Sequence, residues 1–139
     1  PYVYPMFIIL LPFETPRWMI LPLAFAVGFS IDMFNNTAGM HAAACVFIAF
    51  ARPWLIKRYT PITGYENVNA PSLSELGVVW FALFTLTVIF IHHSIYYFLQ
   101  VFWMNDVGYL LLKIFLSTLV STLLIVIFAF LFAKRKVKR

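Results

Sequence analysis

From Leu76 to Phe102 the chain runs without a single Lys, Arg, Asp or Glu. That is longer than the ~20 residues an α-helix needs to cross the hydrocarbon core of a bilayer. A second run, Tyr109 to Ala133, is broken only by Lys113. Hydrocarbon offers no hydrogen-bond partners to the backbone, so runs of this kind must satisfy their N–H and C=O groups internally, as helices. Charged residues make up 11% of the 139 positions, against roughly 25% in soluble domains. The fold class that follows is membrane all-α, a polytopic helical bundle. Sixteen Phe, seven Tyr and four Trp suit lipid-facing helices and interfacial belts, not the surface of a small soluble protein.

Five apolar segments are expected. The first, Tyr2 to Pro12, is too short to cross alone. Pro1 opens directly into it with no signal-peptide n-region, so residues 1–139 read as a single integral membrane domain lacking its N-terminal helix. The second begins with Thr15 as N-cap and Pro16 at the first helical position, carries Pro22 in its interior and ends near Phe34. The third starts near Thr37 and meets Arg52 and Pro53, with WLIKRY continuing as a bent or interfacial turn. After the polar loop Thr60 to Pro71, Ser72 and Glu75 form a capping-box pattern ahead of the span Leu76 to Phe102. The fifth follows Asn105 and Asp106 and ends at Ala133, before KRKVKR.

The cations set an expected orientation. Counted crossing by crossing, Arg17, Arg52, Lys57, Arg58 and the terminal Lys134 to Arg139 fall on one side, which the positive-inside rule makes cytoplasmic. The connections Phe34 to Gly39 and Phe102 to Gly108 hold no Lys or Arg. Trp18, Trp54 and Trp80 then mark the inner interface, and Trp103 and Tyr109 the outer. The net charge of +5 points to anionic lipid headgroups, not to nucleic acid. Cys45 is the sole cysteine and forms no internal disulfide.

The polar residues of the spans gather at one depth. Asp32 closes the second span and His41 opens the third. His92 lies about 25 Å along its helix from Glu75, and Lys113 about 10 Å inward from Asp106. An intramembrane charge needs a partner, so Asp32 is expected to interact with Lys113 or His41. Ala24, Gly28 and Asp32 recur every four residues and share a helix face, where small side chains admit a close neighbour. Lys113, Ser117 and Ser121 share another. The Ala38, Ala42 and Ala49 stripe reads as helix packing, and Asn35-Asn36-Thr37, although a glycosylation sequon, as turn and N-cap residues.

His92 and His93 invite a metal or proton-relay reading. Adjacent helical residues point about 100° apart, which argues against one shared site, and no HExxH or same-helix carboxylate completes a zinc set. Structural hydrogen bonding is the expectation, with no metal and no cofactor. Neither an activated nucleophile, nor paired carboxylates within a span, nor a phosphate loop is found, so no enzymatic activity is expected. An intramembrane enzyme built on His92 and His93 is the least favoured reading.

LPFETPRW (Leu11 to Trp18) and GFSIDMFNNTAGMHAAACVFIAFARPW (Gly28 to Trp54) resemble the bacterial rod shape-determining MreD family. The likeness lies in a glycine four residues before an acid, a short polar turn with a glycine, and a histidine opening an Ala-rich helix that ends in Arg-Pro. IHHSIYYFLQVF (Ile91 to Phe102) is similar to one branch of that family. The resemblance falls on Gly28, Asp32, Gly39, His41, Arg52 and Pro53. It implies about five spans present of six, and a fold similar to the substrate-binding subunits of energy-coupling-factor transporters. It also implies a non-enzymatic scaffold of the inner (cytoplasmic) membrane that binds MreC and, indirectly, MreB, RodA and a class B penicillin-binding transpeptidase. The alternative is a vitamin-like small-molecule binding subunit of a membrane transporter, with the outer polar layer lining its pocket.

Overall fold

The computed structural model describes residues 4–37, 39–61, 64–65, 68, 71, 73–101 and 107–132. Among them every regular element is a helix: α1 (Met6–Ile9), α2 (Arg17–Asn35), α3 (Met40–Arg58), α4 (Leu73–Leu76), α5 (Val78–Val101) and α6 (Val107–Phe132). Four of these, α2, α3, α5 and α6, are long and apolar enough to cross a membrane, which makes the chain a multi-pass membrane protein.

Four long helices stand where about five spans were expected. The first apolar segment instead gives the four-residue α1, entered through Pro5 and followed by a loop containing Pro12. Its Ile8 and Ile9 are fully buried. They pack in one core with Ile20 and Ala24 of α2, Cys45 and Ile48 of α3, Phe81 and Phe84 of α5 and Ile125 of α6. The segment therefore fills the bundle.

Four helix boundaries differ from expectation. α2 starts at Arg17 with Pro16 as its N-cap, while the Thr15 hydroxyl bonds back to the Pro12 carbonyl at 2.8 Å. No side chain caps the helix there, and the Pro16 carbonyl accepts its first bonds, from the Met19 and Ile20 N–H groups at 3.0 Å each. α3 starts at Met40, not Thr37, and does not end at Arg52 and Pro53. It continues to Arg58 with Pro53 inside it, so Trp54 to Arg58 are helical and Tyr59 is the C-cap. The helix expected from Leu76 is divided at Gly77, whose φ of 91° only glycine adopts without strain, leaving α4 as a separate turn. Ala38, Ser72, Trp103, Asn105, Asp106 and residues 134–139, which entered the expectations above, lie outside the described residues.

The packing runs α2 on α3, α3 on α5 and α5 on α6. Ile20, Ala24, Gly28 and Asp32 are the buried residues of α2, one per turn, and they form the seam with α3. At Gly28 a side-chain carbon would sit 2.5 Å from Ala42 Cα and 2.6 Å from the His41 carbonyl oxygen. Glycine is required there because backbone meets backbone. Facing it, α3 buries Ala42, Cys45 and Ala49. Small residues thus set the α2–α3 spacing, and that spacing carries Asp32 to the start of α3.

Candidate functional site: a polar cluster at the α2–α3 turn

α2 stops at Asn36, which takes the left-handed conformation (φ 54°) that commonly ends helices and that asparagine tolerates better than most residues. Gly39, at φ 79°, is the N-cap of α3. A glycine has no side chain with which to satisfy the first N–H groups of the helix. Asp32 supplies the acceptor from the neighbouring helix. Its Oδ1 accepts from the His41 backbone N–H at 3.0 Å, from His41 Nδ1 at 2.9 Å and from the Thr37 hydroxyl at 2.5 Å. Its Oδ2 accepts from the Ala42 N–H at 3.0 Å.

Asp32 is 3% exposed and His41 fully buried. A buried carboxylate is costly unless its lone pairs are taken up, and here four hydrogen bonds and the positive end of the α3 dipole take them up. The carboxylate accepts only, so the His41 proton lies on Nδ1, and Nε2 is turned into the bundle. The expected Asp32 partner is therefore His41. Lys113 is elsewhere, its ammonium 5.1 Å from the Tyr97 ring centre and 5.8 Å from that of Tyr109.

Beyond His41 the cluster continues through aromatic rings. The Tyr96 ring lies 4.3 Å and the Tyr4 ring 5.8 Å from the His41 ring, centre to centre. Tyr4 also meets His92, with its hydroxyl 2.6 Å from Nε2. His92 and His93 are both fully buried. Although adjacent in sequence, they share one cluster, with their Nδ1 atoms 3.5 Å apart. This differs from the expectation that their divergent directions would separate them. α5 is packed on one flank by α3 and on the other by α6, so two neighbouring residues can both be interior.

The partners fix the tautomers. His93 Nδ1 lies 3.0 Å from the Ile89 carbonyl, an acceptor, so that nitrogen carries hydrogen. His93 Nε2 then accepts from the Ser121 hydroxyl at 3.3 Å. Facing a protonated Nδ1, His92 presents its own Nδ1 as a lone pair and donates from Nε2 to Tyr4. Further along, the Tyr97 hydroxyl and Ser117 Oγ are 3.3 Å apart. Hydrogen bonds thus join α2 to α3 and, separately, the N-terminal segment to α5 and α5 to α6, with ring contacts at His41 connecting the two groups, in a low-dielectric interior where satisfied hydrogen bonds are strong.

Arg52 and Pro53, on which the resemblance also falls, lie apart from this cluster. Arg52 is buried near the far end of α3 and donates to the Pro12 carbonyl at 3.3 Å and to that of Leu11. It clasps the N-terminal segment. Tyr4, Tyr96 and Thr37 were missed by sequence reasoning. A tyrosine in an apolar run resembles an interfacial anchor, and only the fold brings Tyr4 and Tyr96 onto His41. A cleft of about 340 Å³ lies between α5 and α6, lined by Leu86, Thr87, Phe90, Phe115, Thr118 and Leu119, none of them in the cluster. No group of three or more His, Cys, Asp and Glu suited to a metal ion occurs among the described residues.

No protein-family model, curated protein or solved structure matches the chain.

Proposed function

We propose that the chain is a non-enzymatic membrane scaffold of bacterial cell-wall elongation. It binds MreC and, through it, is linked to MreB, RodA and a class B penicillin-binding transpeptidase. The observation that carries this reading is the α2–α3 hairpin. Gly28, Asp32, Gly39 and His41, the heart of the likeness to the MreD family, work there as one unit: a close crossing, a carboxylate cap, a glycine turn and the capped helix.

The cluster is closed by its own side chains, with Asp32, His41, His92, His93, Tyr96 and Tyr97 all at most 4% exposed. That favours a framework over an outward-facing ligand pocket, which would hold convergent polar groups open to solvent. The outer faces of α2 and α6 carry exposed Phe25, Phe29, Leu112, Leu116 and Leu123, surfaces on which partner spans or lipid can lie. On this reading the α2–α3 turn faces outward from the cytoplasmic membrane and the C-terminus is cytoplasmic. On the same reading the four long helices are arranged like those of the transporter substrate-binding subunits.

Depletion in a rod-shaped host tests the proposal. Cells are expected to round up and to regain rods when the chain is resupplied. Unchanged rods would overturn it.

A further inference from the structure

Lys113 stands apart from the other cations. Among the described residues, Arg17, Arg52, Lys57 and Arg58 all fall at the opposite end of the bundle by the order of the crossings. Lys113 lies six residues into α6, about 9 Å along its axis from the end shared with the α2–α3 turn. That is within the bilayer, yet close enough for a lysine stem to bring its ammonium to headgroup level.

The ammonium is held by the ring faces of Tyr97 and Tyr109. These attract its charge but leave its three N–H donors in need of oxygen acceptors. The ion pair found among the described residues is Asp32 with His41, and none of the described carboxylates lies within ion-pair range of Lys113. Tyr97 is buried with its hydroxyl at Ser117, whereas Tyr109 is half exposed and is flanked by the exposed Leu112 and Leu116. The ammonium is therefore bordered by an exposed apolar strip on α6.

We propose that Lys113, positioned by Tyr97 and Tyr109, binds the phosphate of an anionic phospholipid in the leaflet at the α2–α3 end. The unanswered donors call for a phosphate oxygen. The surrounding Leu112, Leu116 and Tyr109 side chains suit an acyl chain and glycerol backbone better than a free ion. A zwitterionic headgroup brings its own cation, and the two ring faces that would receive it are turned to Lys113. The inference rests on the membrane character of the chain and is independent of the scaffold reading.

Native mass spectrometry of the full-length chain, released from micelles doped with either phosphatidylglycerol or phosphatidylcholine, tests this. Wild type is expected to retain one phosphatidylglycerol more than Lys113→Gln does, with that lipid held about fivefold more weakly by the variant, the scale of one lysine–headgroup attraction. Lys113→Arg should retain it, and Tyr109→Leu, which alters only a half-exposed ring, should weaken it. Lys57→Gln, at the far end, should leave this lipid in place. Equal retention by wild type and Lys113→Gln, the same loss in Lys57→Gln, or equal retention of phosphatidylcholine would overturn the site. Displacement of the lipid by millimolar inorganic phosphate would overturn the assignment to a lipid.

Discussion

The carboxylate of Asp32, at the end of one helix, caps the next: its two oxygens accept the backbone N–H groups of His41 and Ala42 at 3.0 Å each. In a soluble protein this task falls to the N-cap side chain. Here the N-cap is Gly39, and the acceptor comes across a helix crossing whose distance Gly28 sets.

Asp32→Asn is therefore expected to destabilise the bundle. The amide keeps one acceptor and turns a donor toward a backbone N–H, at a cost of about 1.5–3 kcal/mol, the range for hydrogen bonds to charged groups. Unfolding of the reconstituted protein in a mixed-micelle titration measures this. A variant as stable as wild type would mean that the cap contributes little.

The glycines separate two effects. At Gly39 a side-chain carbon meets nothing within 4 Å, so Gly39→Ala carries only the backbone cost of a positive φ, about 1–2 kcal/mol. At Gly28 the same change collides with backbone, and overpacking of this kind costs about 1–3 kcal/mol. Gly28→Ala should also weaken the Asp32 bonds, so combining it with Asp32→Asn should cost less than the sum of the two. Gly39→Ala with Asp32→Asn should come closer to additive.

Much of the α2 seam was legible in the sequence, because the spacing of Ala24, Gly28 and Asp32 fixes a face whatever surrounds it. What that face meets was not. In a bilayer, hydrophobicity does not distinguish a core position from a lipid-facing one: on α5, Phe81 is fully buried and Phe90 half exposed, and both are phenylalanine in an apolar run. For the same reason the apolar run Tyr2 to Pro12 does not by itself reveal that Ile8 and Ile9 are buried in the core, and the choice between His41 and Lys113 as partner of Asp32 needs the hairpin geometry. The burial of both His92 and His93 depended on α5 having neighbours on two flanks, which no single-helix pattern reveals.

Arg52 holds the segment before α2 through the carbonyls of Leu11 and Pro12. Arg52→Leu should loosen that segment specifically. Hydrogen–deuterium exchange of the amides at residues 6–11 is expected to rise about tenfold, equivalent to ~1.4 kcal/mol, with exchange in α6 unchanged. A uniform rise throughout the protein would assign Arg52 to global stability instead.

Tyr4 and His92 share a 2.6 Å hydrogen bond across most of the sequence. A double-mutant cycle of Tyr4→Phe and His92→Phe is expected to give a coupling of about 1 kcal/mol, read from the same unfolding titration. A coupling near zero would remove Tyr4 from the cluster.

On the proposed scaffold reading, this closed bundle binds MreC. Recovery of MreC with the tagged full-length chain from detergent-solubilised membranes tests it most directly. Near-stoichiometric MreC, reduced in Gly28→Leu where the hairpin is forced apart, is the predicted result. A chain that purifies without MreC while retaining a vitamin-sized molecule would contradict the scaffold and place the protein among the uptake subunits.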